Sequence, residues 1–238
     1  MSNGIDLNSL AFFASQEHDC SYLDDHVART LFADPEAALT PAIYDKLIEL
    51  GFRRSGDHLY RPQCPECDAC WSARIPVAQY TPKRSDRRIV KLNSDLTVTR
   101  AEASFDEEHF ALYSRYLNAR HPDGSMAESS SEEYINFLTS NWSETQFNEF
   151  RLYGKLLAVA VTDRVANGLS AVYTFFDPEE GKRSLGKYAI QWQIEACIKE
   201  QLTYLYLGYW IENCQKMAYK GDYRPLEYFR ANLWHELS

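Results

Sequence analysis

Two apolar runs, Leu156-Leu-Ala-Val-Ala-Val-Thr-Asp163 and Leu169-Ser-Ala-Val-Tyr-Thr-Phe-Phe176, flank the short segment Val165-Ala-Asn-Gly168. This arrangement constrains the fold more than any other feature of the chain. Asn-Gly reverses the backbone at low steric cost, so the runs pair as a β-hairpin. Asp177-Pro178 ends the second strand. A helix follows over residues 188–202, with Ile190, Ile194, Cys197, Ile198 and Leu202 on one face. Tyr204-Leu-Tyr-Leu-Gly-Tyr-Trp210 then returns as a strand. Hairpin, turn, helix and strand together predict a sheet with a helix packed across it.

Upstream, Thr40-Pro41 reads as an N-cap and first helical residue before Ile43, Leu47 and Ile48, and Gly51 closes that helix. Residues 52–71 read as a strand, a cysteine-bearing turn and the start of a further strand through Ser72-Ala-Arg-Ile-Pro-Val-Ala. A strand is expected from Asp95, helices over 105–119 and 131–138, a strand from Phe150, and partial helix over 225–237. The loop from Arg120 to Met126 is long enough to cover a site. The class is α/β (α+β): a small N-terminal cysteine-bearing domain, 1–95, and a second domain, 96–238.

Cys64, Cys67 and Cys70 lie within seven residues of one Pro-bearing turn. Thiolates are the ligands that zinc and iron–sulfur clusters prefer, so the spacing points to zinc or a cluster. It begins like a ferredoxin run but lacks the fourth cysteine, and a metal-free turn is the alternative. The crowding does not resemble a secreted disulfide framework. With no leader-like N-terminus and no membrane-length apolar run, a cytoplasmic protein is expected. The net charge is −9, yet Lys83, Arg84, Arg87, Arg88 and Lys91 fall within nine residues. An acidic protein with one basic stripe can still hold a phosphate backbone; the alternative is a solvated charged loop.

The order from hairpin to returning strand resembles the core of GNAT-type acyltransferases, whose Gly-bearing turn holds the CoA pyrophosphate. Here the turn reads Arg183-Ser-Leu-Gly-Lys-Tyr188, with Tyr188 where a small residue is needed. The ring is expected to block CoA, which makes a different acyl donor the natural inference. Blocks along the whole chain then point one way: Cys20-Ser-Tyr-Leu23, Gly51-Phe-Arg-Arg-Ser-Gly56, Arg84-Ser-Asp-Arg-Arg88, Tyr113-Ser-Arg-Tyr-Leu-Asn-Ala-Arg-His121, Ala171-Val-Tyr-Thr-Phe-Phe-Asp-Pro178 and Met217-Ala-Tyr-Lys-Gly-Asp-Tyr-Arg-Pro225. Together they resemble the arginyl/leucyl-tRNA–protein transferase family, its short bacterial aspartate/glutamate leucyltransferase branch above all. The resemblance implies a GNAT-like fold and transfer of leucine from leucyl-tRNA to proteins that begin with Asp or Glu, in an N-degron pathway. It also implies Cys20 as the fourth metal partner, since related arginyltransferases carry N-terminal cysteines linked to metal or iron–sulfur binding. An arginyl donor, a CoA-dependent N-acetyltransferase and a zinc-binding RNA module without activity are the competing readings.

The residue types suggest roles. Asp177, at a strand end, is the candidate proton acceptor, with an Asx–Pro turn as its alternative. An acidic acceptor calls for a guanidinium: Arg74, Arg84 or Arg120. Arg84, Arg87, Arg88, Lys91 and Lys187 suit tRNA phosphate. Tyr113, Tyr116, Phe175 and Tyr188 could form an apolar slot for leucine, or simply core. His121 could donate to the tRNA end.

Overall fold

The protein is described here from a computed structural model over residues 10–120 and 129–237. Its first lobe contains β1 (Phe12–Ala14), β2 (His18–Asp19), β3 (Val27–Ala28), β4 (Thr30–Ala33), α1 (Pro41–Glu49), β5 (Arg53–Ser55) and β6 (His58–Pro62). Four of these strands form a sheet in the order β1-β4-β6-β5, and β2 pairs with β3. Helix α1 starts where the sequence signals it: the Thr40 hydroxyl accepts the Ile43 N–H at 3.3 Å, and Pro41 occupies the first turn. Gly51 follows in the left-handed region at φ +80°, where a Cβ would meet the Phe229 ring at 2.7 Å. Residues 52–62 turn back at Gly56 to make the β5–β6 hairpin rather than one strand.

The remaining elements are β7 (Trp71–Pro76), α2 (Arg84–Leu92), β8 (Thr97–Ala101), α3 (Glu107–Arg120), α4 (Ser131–Leu138), β9 (Glu144–Leu152), β10 (Lys155–Val165), β11 (Gly168–Phe176), α5 (Leu185–Lys199), β12 (Tyr204–Trp210), α6 (Gln215–Ala218), β13 (Glu227–Arg230) and β14 (Leu233–Glu236). They build an eight-stranded sheet in the order β14-β13-β7-β12-β11-β10-β9-β8. Strand β10 shows the two-residue period that makes a two-faced sheet. Ala158 and Ala160 pack with Leu185, Tyr188 and Ala189 of α5. Val159 and Val161 pack on the opposite face with Leu112, Tyr113 and Leu117 of α3 and Tyr134 and Leu138 of α4.

The expected hairpin forms with Val165 opposite Gly168. Strand β12 then runs parallel to β11, the crossover being α5. Hairpin, crossover helix and parallel strand give the GNAT-like order. Among the described residues, no helix is long and apolar enough to cross a membrane.

Three features of the structure bear on readings of the sequence. The division at residue 95 does not coincide with the sheets: β7 pairs antiparallel with both β12 and β13, so a strand from the first 95 residues lies inside the large sheet. The basic stretch is a helix, α2, not a loop. The Asp86 carboxylate accepts the Lys83 N–H at 2.8 Å at its start, while Ile89 packs beneath it against the α5 cluster. Residues 225–237 form the β13–β14 hairpin instead of partial helix. Ala231 and Asn232, at φ 50° and 61°, supply the two left-handed positions that a tight hairpin turn requires.

Candidate active site

The parallel pairing of β11 with β12 lasts only three residues, Gly168–Ser170 against Tyr204–Tyr206. Beyond it β11 lacks its neighbour, and its carbonyls need other donors. Arg53 of β5 supplies them: its Nη2 donates to the Ala171 and Val172 carbonyl oxygens at 3.0 and 3.2 Å. The guanidinium lies against Gly208 of β12, where a Cβ would come within 1.7 Å of Nη1. Gly208 has φ +74° at a break in the β12–β7 register, so glycine is required there twice over.

Lys220 comes to the same place from the turn after α6. It is 5% exposed, and its Nζ donates to the Tyr209 carbonyl at 2.5 Å. Burial, together with the Arg53 charge, pushes its pKa down to about 7. Burial above all raises the Tyr219 pKa, with the Arg53 charge lowering it and Tyr116 of α3 adding to the rise, so both lie within electrostatic reach of this hydroxyl. Tyr116 is half-buried, its ring 4.9 Å from that of Phe176, and the Arg120 guanidinium lies 5.6 Å from the centre of the Phe176 ring. Gly186 packs on Phe176 as well, a Cβ there meeting the ring at 3.2 Å.

Asp177 sits at the far end of β11 and is 2% exposed. Its carboxylate accepts the Glu179 N–H at 3.1 Å, and Lys155 Nζ lies 3.1 Å and Arg115 3.7 Å away. Burial pushes its pKa up, but the amide and the two cations outweigh that and hold it below the usual carboxylate value. It is an Asx cap with bound cations, and a carboxylate held low is a weak base.

Arg74 stands in a different place from the split. Its Nη1 meets Glu49 and its Nε meets Glu227, each at 2.7 Å, and its guanidinium is sandwiched 3.7 and 3.9 Å from the Tyr204 and Trp234 rings. With both carboxylates in place it has no free fork for an acceptor, so this arginine is a structural cation. Tyr188 also departs from its expected position. Its ring packs on Phe150 at 5.6 Å in the α5 core and does not stand over the turn amides. Arg183, the other landmark of that turn, forms a two-pronged pair with Asp95 at 2.9 and 3.0 Å. Tyr113 and Phe175 are core residues, and His121 lies outside the described residues.

Arg84, Arg87, Arg88 and Lys91 are all exposed along α2, and Lys187 is exposed near the start of α5. Both helices reach the turn that carries Lys220: Lys83 Nζ donates to the Asp222 carbonyl at 2.5 Å, and Lys187 Nζ lies 3.6 Å from the Asp222 carboxylate. The basic surface therefore borders the split.

Cys20, Cys64, Cys67 and Cys70 line one hollow of about 280 Å³, together with His26. Burial first, then the neighbouring thiols of Cys64, Cys20 and Cys67, push the Cys70 pKa up to about 12. A soft thiol set of this kind suits zinc or an iron–sulfur cluster in its chemistry. Among the described residues, however, no three His, Cys, Asp or Glu side chains converge to hold an ion. The convergence on one point expected from spacing is thus a shared hollow without closed ligand geometry.

Arg53, Gly208, Tyr219 and Lys220 were not legible as site residues. Arg53 and Lys220 each sat inside a longer matching block, and only the strand split unites them.

The Arginine-tRNA-protein transferase family model matches in two parts, its N terminus over residues 18–88 and its C terminus over 108–230. The aspartate/glutamate leucyltransferase of Alcanivorax borkumensis is 56% identical over 233 residues, 98% of this chain and 96% of that protein. The enzyme of the same name from Hahella chejuensis is 53% identical over 234 residues, 98% of this chain and 99% of that protein. Among solved structures, FemX aligns with a TM-score of 0.47 at 8% identity, over 85% of this chain and 80% of that one. With its two halves matched in order and its relatives aligned almost end to end, the chain belongs to the arginine-tRNA–protein transferase family.

Proposed function

We propose that the protein transfers leucine from leucyl-tRNA to the α-amine of proteins that begin with Asp or Glu, marking them for degradation. The observation that carries this reading is the 56% identity to a leucyltransferase over 98% of the chain. The reaction is aminolysis of an ester. The neutral amine attacks the leucyl carbonyl carbon, a C–N bond forms, and the C–O bond to the tRNA 3′ oxygen breaks. The proton lost by the amine ends on that oxygen. An α-amine has a pKa near 8, so part of it is neutral at pH 7 and no strong base is needed. Positioning of the two ends supplies the rate, which agrees with the weak basicity of Asp177.

The split between β11 and β12 is where the amine and ester meet, with Tyr116 and Arg120 at its rim. Arg84, Arg87, Arg88, Lys91 and Lys187 receive the donor's phosphates on the bordering surface. Cys20, Cys64, Cys67 and Cys70 are proposed to hold zinc or an iron–sulfur cluster as a structural clasp. No step of the reaction runs through it, and metal analysis of anaerobically purified protein tests it.

The deciding assay offers peptides beginning with Asp or Glu to the protein with each charged tRNA in turn. Leucine on the peptide N-terminus is expected. Transfer of arginine instead would reassign the donor, and no transfer from either would overturn the reading.

A further inference from the structure

Among the described residues, three cationic side chains are buried: Arg54, Arg74 and Lys220. Arg54 is paired with Asp163, and Arg74 with Glu49 and Glu227. Lys220 has no carboxylate partner; its acceptors are the Tyr209 carbonyl and the Met217 sulfur. The charge nearest in effect is another cation, Arg53, whose acceptors among the described residues are backbone carbonyls. Lys220 is buried and Arg53 half-buried beside it, and a bound anion would supply the counter-charge that favours the charged form of Lys220.

The position of the pair is fixed by the sheet. It lies where two strands of one sheet separate, and Gly208 leaves room for the guanidinium at the expense of any side chain. A carboxylate on a short side chain can reach it, and the guanidinium fork matches a carboxylate in shape. On the reading above, the phosphates of a tRNA stem meet the exposed cations of α2.

We infer that Arg53 and Lys220 together bind the side-chain carboxylate of the acceptor's first residue, holding the adjacent α-amine at the mouth of the split beside Tyr219 and Tyr116. The inference rests on the reaction proposed above and names the part of the site that chooses Asp or Glu. Asparagine and glutamine, equal in shape but uncharged, would leave both cations unmatched and so be rejected.

The test uses the full chain, leucyl-tRNA and two C-terminally amidated peptides that differ only in beginning with Asp or Asn. Arg53→Gln and Lys220→Met are each expected to raise KM for the Asp peptide by about 10- to 100-fold, the range for a lost charge-assisted bond. The Asp/Asn preference should collapse, with leucyl-tRNA affinity unchanged. Arg53→Lys, which keeps a cation, should retain part of the preference. A further measurement needs no variant: carbodiimide coupling of the Asp peptide to the wild-type protein should place the cross-link on Lys220 in mass spectra.

If wild type transfers leucine while both variants keep the full Asp/Asn preference, the assignment is overturned and the reaction stands. Cross-links found only on other lysines overturn it equally, as does a loss confined to tRNA affinity. If wild type transfers nothing to the Asp peptide, the reading of the reaction falls and takes the assignment with it.

Discussion

Two arginines press on β12 a short distance apart, and their surroundings are opposite. Arg74 lies where β12 is paired on both sides; two carboxylates and two aromatic rings enclose its guanidinium. Arg53 lies where β12 and β11 have parted, and it bonds to carbonyls with Lys220 close by. Where the sheet is closed, charge is neutralised within the fold. Where the sheet is split, Arg53 and Lys220 meet carbonyls, with no carboxylate paired to them among the described residues. Residue type alone does not distinguish the two cases, since both are arginines on β-strands of the N-terminal half; the distinction comes from strand pairing.

The contrast can be broken most forcefully at the fully enclosed pair. Arg54 and Asp163 have 0% exposed side chains, with Nε–Oδ2 at 2.5 Å. Asp163→Asn leaves the guanidinium without its counter-charge and should destabilise the protein by about 3–5 kcal/mol in chemical denaturation. A loss under ~1 kcal/mol would mean that water reaches the pair.

Lys220 sharpens the contrast through pH. Its pKa falls from 10.5 to about 7 on folding. Between those values the unfolded chain holds the proton and the folded one does not, so this group makes stability rise with pH from about 7 to about 10.5. Below about 7 both states are protonated and its contribution is flat. Lys220→Met should remove that rise, a difference on the order of a few kcal/mol between the two stability profiles. Parallel profiles would show that Lys220 keeps its charge in the fold.

Arg74→Met comes next. It leaves Glu49 and Glu227 unmatched at a site with 37% and 21% exposed partners. Solvent screening reduces the cost to about 2 kcal/mol. Activity per folded molecule and the Asp/Asn preference should be unchanged, and a shift in that preference would restore Arg74 to the site. The smallest effect on stability belongs to α2. Changing Arg84, Arg87 and Arg88 together to Gln should alter stability by less than about 0.5 kcal/mol. The same change should lower the salt slope of tRNA binding by about 2–3. An unchanged slope would make α2 a merely solvated face.

Local signals carried the fold a long way. Thr40-Pro41, the Asn-Gly hairpin and the apolar spacing of α5 each fixed an element because their chemistry acts within a few residues. Ala231-Asn232 was less legible, since neither residue announces two left-handed positions as Asn-Gly does. The candidate site was legible mainly as a neighbourhood, the end of β11 and the turn before α5. Tyr188 and Arg183 drew attention by position in that turn, but each is held by a partner distant in sequence, Phe150 and Asp95. Arg53 and Lys220 are separated by more than 160 residues, and no local rule joins them.

The placement of β7 has a consequence for how the chain assembles. Its partners on either side, β12 and β13, lie more than 120 residues later, so the middle of the large sheet closes only through contacts of long sequence separation. Such closures are slow, because loop entropy must be lost before the pairing compensates for it. During synthesis β7 would leave the ribosome long before either neighbour exists, an unpaired strand awaiting the end of translation. A fragment beginning at residue 96 would lack the strand between β12 and β13.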